Sequence, residues 1–166
     1  MSEIRIMNRE RARRYAFAPH AETSVIISIR DNDEERVIFP AHALMGNEIK
    51  AVCPVSFDDV DEVAVNPDGS MLTGITKNDA AVIADFVDRY WNKVDIIIVH
   101  CSAGVSRSAG CAAAILKAYT GDDRQVFDNP KYRPNMRVYR EVLGALQAKS
   151  ACRMLHEPEQ DATWWD

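Results

Sequence analysis

Residues 95–110, DIIIVHCSAGVSRSAG, constrain the fold of this chain more than any other stretch. The run of isoleucine and valine has no polar alternation, so a strand here must bury both of its faces. That is the pattern of a central parallel strand with helices above and below it. The residues after Cys101 are small, and an alanine-rich segment from Ser108 to Tyr119, ended by Gly121, has the composition of a helix. A buried strand passing through a tight loop into a helix predicts the α/β class: one domain, with a central, mostly parallel sheet flanked by helices.

The remaining segments agree with that class and show no internal repeat. Asn8 is placed to cap a short helix running to Tyr15. SVIISI, from Ser24 to Ile29, is β-branched and bounded by the turn-like RDNDEE, so it reads as a strand. PAHALMG, residues 40–46, has proline first and glycine just past the end, the asymmetry of a short helix. A second strand is expected from Glu48 to Phe57, then an acidic loop, DDVDE. Residues 64–74, with Pro67, Asp68-Gly69 and Gly74, read as loop. Thr76 to Asp79 forms a capping-box pattern ahead of a helix whose apolar face is Ile83, Phe86, Val87 and Tyr90. Pro134-Asn135 supplies a stop and an N-cap for a last helix from Met136 to about Ala148, with Val138, Val142 and Ala145 inward. Residues 1–155 thus read as one folded domain, and residues 156–166, HEPEQDATWWD, as an acidic tail carrying Trp164 and Trp165.

Composition narrows the function. With 166 residues, 47% of them hydrophobic, the chain can build one well-buried core and is short for two domains. A net charge of -5 and a pI near 5.4 argue against a nucleic-acid partner. The basic cluster Arg9, Arg11, Arg13 and Arg14 reads as a solvated helix face, with lining of an anion pocket as its alternative. No segment has the make-up of a signal peptide or a membrane span, so a cytoplasmic protein without a membrane partner is expected. The four cysteines show no CxxC pair, and neither a zinc site nor a disulfide framework is expected. Cys53, Cys111 and Cys152 read as core filler. Cys101 does not.

Cys101 stands at the carboxyl end of the buried strand and at the mouth of a small-residue loop, where helix N–H groups favour anions. Ser102, Ala103, Gly104, Val105 and Ser106 let successive backbone N–H groups turn inward as an anion nest. Arg107 adds a planar fork matched to two oxygens of one phosphate. A free thiol ionises near 8.5, and lower values occur at helix N-termini beside cations, so Cys101 is expected to be a thiolate at neutral pH. Sulfur nucleophile and phosphate cradle together point to phosphoryl transfer.

HCSAGVSRS resembles the HCxxGxxR(S/T) loop of the cysteine-dependent protein tyrosine phosphatases, and the chain length resembles their small dual-specificity branch. RPNMRVYREVL is similar to the PN-containing segment that opens a late helix in dual-specificity enzymes. The resemblance spans roughly residues 24–147. It implies that Cys101 is the nucleophile, forming a cysteinyl phosphate. It further implies that Arg107 and the N–H groups from Ser102 to Arg107 hold the phosphoryl oxygens. Ser108 would stabilise the departing thiolate, and His100 would order the loop from behind. The family's general acid is an aspartate on the loop after the preceding strand. Here Asp59 is the first choice, Asp58 and Asp61 the alternatives, and Asp68 a remote one. Asp59 precedes Cys101 by 42 positions (101 − 59), a long separation whose insertion is AVNPDGSMLTG.

The expected reaction needs no metal or other cofactor. Its substrate is a phosphorylated protein or small phosphomonoester: phosphotyrosine, with phosphoserine and phosphothreonine as further options. The loop lacks the lysines usual in phosphoinositide-specific relatives. A catalytically silent phospho-residue-binding pseudophosphatase, a rhodanese-like sulfurtransferase and a redox sensor at Cys101 are the alternative readings. The residues do not indicate an oligomeric state.

Overall fold

Four strands, β1 (Glu3–Asn8), β2 (Ser24–Arg30), β3 (Ile49–Ser56) and β6 (Ile96–Cys101), form one sheet in the order β1-β6-β2-β3, every pair parallel. This computed structural model describes residues 1–35, 39 and 48–156. The helix expected at residues 40–46 and the tail beyond residue 156 lie outside the described residues.

Strand β6 runs between β1 and β2, and all six of its residues are buried. Its alternation explains the unbroken hydrophobic run. Ile97, Val99 and Cys101 enter the core that also holds Val25, Ile27, Ile83, Val87, Ile115 and Val142. Ile96 and Ile98 enter a second core with Met7, Ile26, Ala12 and Ala16. Against the first face pack α2 (Lys77–Tyr90), α3 (Arg107–Thr120) and α5 (Met136–His156); against the second packs α1 (Arg9–Phe17).

Each long helix starts and stops for a local reason. Asn8 Oδ1 accepts the Arg11 N–H at 2.8 Å and caps α1. Thr76 and Asp79 complete a reciprocal capping box on α2. Gly121, at φ 77°, closes α3 in the left-handed region that glycine enters without strain. Asn135 Oδ1 accepts the Val138 N–H at 2.9 Å and opens α5.

Two expectations need amendment, at residues 64–74 and at the end of the last helix, and two further elements had no expectation. The N-terminal residues before Asn8 form the edge strand β1, paired with β6 from Glu3↔Ile96 to Asn8↔Cys101. Residues 64–74 hold a small antiparallel pair, β4 (Ala64–Val65) and β5 (Met71–Leu72), across the Asp68-Gly69 turn. A one-turn helix, α4 (Arg124–Phe127), bridges α3 and α5. Helix α5 continues past Ala148 to His156, since nothing between them breaks a helix, and its inner face is Val138, Val142 and Leu146, with Ala145 half-buried. Among the described residues, no helix is long and apolar enough to cross a membrane.

Candidate active site

Strand β6 delivers Cys101 to the carboxyl edge of the sheet, and residues 102–106 turn there before α3 begins at Arg107. Cys101 is buried, 2% exposed, and two hydrogen-bonding groups converge on its sulfur. The Gly104 N–H lies 3.3 Å from Sγ and the Ser108 Oγ 3.1 Å away. Gly104 has to be glycine. Its φ is +70°, and a Cβ there would meet the backbone of Asn8 at 2.6 Å and of Met7 at 2.7 Å. The loop thus lies directly on the β1–α1 junction.

Arg107 is buried, 4% exposed, and one corner of its guanidinium is fixed. Nη1 donates to Asp31 Oδ1 at 2.5 Å and to the Phe57 carbonyl at 2.9 Å. Nε is buried with no partner among the described residues. Fixing Nη1 leaves the Nε–Nη2 edge, the edge that binds an oxyanion through two parallel bonds. Ser106 occupies the N-cap position of α3 yet makes no capping bond, because its hydroxyl donates to Asp59 Oδ1 at 2.8 Å.

The candidate acids separate by environment. Asp58 is buried and accepts three bonds, from the Thr73 N–H at 2.7 Å, the Asn32 N–H at 3.1 Å and the Asn32 amide at 3.0 Å. Burial pushes its carboxyl up, but these N–H groups and the charge of Arg107 outweigh burial and hold it below the ordinary aspartate value. Asp59 is exposed at the loop's rim, held by Ser106 and by Asn135 Nδ2 at 2.9 Å. Asp61 faces away and accepts the Arg137 N–H at the start of α5. Asp68 is spent in the β4–β5 turn on Ser70.

His100 is fully buried on the α1 side of the sheet, edge-on to Phe39, and burial pushes its imidazole down to about 4. The basic cluster divides. Arg9 pairs with Glu34 and lies 3.4 Å from Ser102 Oγ, whereas Arg11, Arg13 and Arg14 are exposed. Cys53 and Cys111 are buried, and burial raises both thiols, Cys53 to about 11. Cys152 is no core residue: it lies exposed on the last turns of α5, between Lys149 and Arg153, which pair with Asp85 and Asp88 of α2. Among the described residues, no cluster of His, Cys, Asp and Glu could hold a metal ion.

Size does not locate this site. A groove of about 1000 Å³ lies between α2 and α5 and includes none of the loop residues. A cavity of about 450 Å³ lies next to the loop instead, lined by Asp31, Asp33, Asp58, Asp59 and strand β5.

Sequence reasoning missed Asp31 and Glu34 as neighbours of the loop, and Arg9 met it there only through the alternative reading of the basic cluster as the lining of an anion pocket. The available signal was the placement of RDNDEE directly after a strand, at the sheet edge where α/β proteins collect ligands.

No protein-family model matches the chain, and no curated protein sequence matches it. Solved structures do match. Human DUSP28 aligns over 90% of this chain and 94% of its own, with a TM-score of 0.53 and 12% identity. DUSP15 aligns over 82% and 79%, with a TM-score of 0.51 and 22% identity. PTPMT1, solved in complex with PI(5)P, aligns over 79% and 81%, with a TM-score of 0.51 and 14% identity. At such identities the likeness is one of fold. From the parallel sheet outward to the helices around it, this chain has the fold of the cysteine-dependent protein tyrosine phosphatases, dual-specificity enzymes among them.

Proposed function

We propose that the chain is a metal-independent phosphatase that hydrolyses phosphate monoesters through a cysteinyl-phosphate intermediate. Its substrate is a phosphorylated protein or a small phosphomonoester. One observation carries this reading: Gly104 N–H and Ser108 Oγ converge on the Cys101 sulfur, and Arg107 is tethered by one corner beside it. The Gly104 N–H donates to Sγ, and the Ser108 hydroxyl is within reach to donate to the thiolate that the reaction requires.

In the first step Sγ attacks phosphorus, the bond to the leaving oxygen breaks, and Asp59 gives that oxygen its proton. In the second, water attacks phosphorus and passes a proton to Asp59. The P–S bond breaks, the thiolate re-forms with Ser108 donating to it, and inorganic phosphate departs. Arg107 and the loop N–H groups stabilise the equatorial charge in both steps. Asp59 suits the acid role better than Asp58, because Asp58 is buried with its oxygens taken by three N–H donors, whereas Asp59 stands exposed at the rim beside Ser106.

The test is hydrolysis of p-nitrophenyl phosphate in EDTA from pH 5 to 8. Wild type turns over and Cys101→Ser does not. Asp59→Asn loses about 10²–10³-fold, chiefly with poor leaving groups, and its rate no longer falls on the basic side. Folded, reduced wild type without turnover would overturn the reading. The chain keeps cysteine, arginine and carboxylate together, so a silent pseudophosphatase is not favoured.

A further inference from the structure

The turn after β2, residues 31–34, reaches both ends of the loop between β6 and α3. At the far end Asp31 accepts from Arg107 Nη1 at 2.5 Å. At the near end Glu34 accepts from Ser102 Oγ at 3.3 Å and pairs with Arg9, whose backbone N–H donates to the Ser102 carbonyl at 3.3 Å. The turn itself is closed. Glu34 N–H donates to the Asp31 carbonyl at 3.2 Å, Asp31 N–H donates to Glu34 Oε2 at 3.0 Å, and the Arg30 guanidinium donates to the Glu34 carbonyl. One hydrogen-bonded turn therefore carries both contacts and links the two ends of the loop.

We propose that Asp31 and Glu34 are positioning residues of a two-ended clamp on the phosphate loop. The proposal rests on the phosphatase reading above. Asp31 acts through Arg107, aiming its free edge, and Glu34 acts through Arg9 and Ser102, fixing where the loop begins. A bound phosphate ester tolerates a loosened loop, because any of several N–H groups can meet its oxygens. The in-line transition state does not, since its three equatorial oxygens must all be met at once. The clamp's effect therefore falls on kcat. Asp31 also places a negative charge near the dianion, so removing it costs little in binding.

The experiment compares wild type, Asp31→Ala, Asp31→Asn, Glu34→Ala and the Asp31→Ala/Glu34→Ala double variant. The readouts are p-nitrophenyl phosphate kinetics, inhibition by inorganic phosphate and thermal melting. Asp31→Ala is expected to lower kcat about 30–100-fold, while KM and phosphate inhibition change less than about threefold. Asp31→Asn, which keeps an acceptor opposite Nη1, recovers about tenfold of that loss. Glu34→Ala alone lowers kcat about tenfold, but on top of Asp31→Ala less than about threefold, because an opened clamp has little left to lose.

Unchanged kcat in both single variants overturns the clamp. So does a rise in KM and in the phosphate inhibition constant that keeps pace with the fall in kcat, which means the loop has collapsed. Losses that multiply in the double variant mean two independent props, and overturn it as well. If Asp31→Ala does not fold, Asp31→Asn and Glu34→Ala decide by the same split between kcat and KM. Turnover that needs Cys101 but ignores Asp31 and Glu34 removes the clamp alone. Wild type without turnover removes the phosphatase reading and the clamp with it.

Discussion

Asp58 and Asp59 are adjacent in sequence and have opposite surroundings. Asp58 points inward and ties the end of β3 to Asn32 and Thr73; Asp59 points outward to Ser106 and Asn135. The folded state holds Asp58 below its unfolded value, near 3.9, so the stability it contributes is complete above that value and is lost as pH falls toward the folded one. Asp58→Asn is expected to cost about 1–3 kcal/mol at pH 7, because buried N–H donors lose their acceptor. Urea unfolding of both proteins at pH 7 and at pH 3 checks this: the gap should shrink at the lower pH. A gap that stays constant would mean that the side chain's shape matters there and its charge does not.

Glycine inside a helix ordinarily costs about 1 kcal/mol relative to alanine, so Gly→Ala in mid-helix usually stabilises. Gly110 in α3 is expected to behave the other way. A Cβ there would meet the Asn135 backbone oxygen at 2.4 Å, where α5 begins against α3. Overpacking of this kind costs about 1–3 kcal/mol, which outweighs the helical gain. Gly110→Ala should therefore lower the melting temperature, and also activity, because the residue displaced is the one holding Asp59. An increase in melting temperature would show that the helices separate freely.

Elements with a dense local signal were legible in the sequence. The run of residues 95–99, the Thr76–Asp79 box and Gly121 each carry their instruction within a few residues. Strand β1 does not. It is an edge strand whose exposed side bears Glu3 and Arg5, paired with each other, so its apolar pattern is only Ile4, Ile6 and Met7. The strands β4 and β5 are two residues each, too short for any periodicity. The candidate site divides in the same way. Cys101, Arg107 and Ser108 lie within eight residues and were readable, while Asp31 and Glu34 meet the loop only through the strand order β1-β6-β2. No spacing in the sequence encodes that order.

Across the whole molecule, a net charge of -5 and the acid-lined cavity beside the loop act on approaching substrates. Phosphopeptides with lysine or arginine next to the phosphorylated residue should show kcat/KM about tenfold above acidic-flanked ones at low salt. Most of that difference should vanish at about 0.5 M salt, where charges separated by more than several ångströms are screened. Equal rates for the two peptide classes at low salt would mean that Arg9 and Arg107 set the local field by themselves.

The loop's supports are spread along nearly the whole chain: Arg9, Asp31, Glu34, Phe57, Asp59, and then Arg133 and Asn135, whose N–H groups donate to the Val105 and Ser106 carbonyls. Contacts this distant in sequence form late in folding. On the ribosome, Cys101 therefore emerges well before the last of the segments that brace its loop. A nascent chain carries the sulfur for some time without the hydrogen bonds that fix its loop, and the last of them arrive only with the start of the final helix.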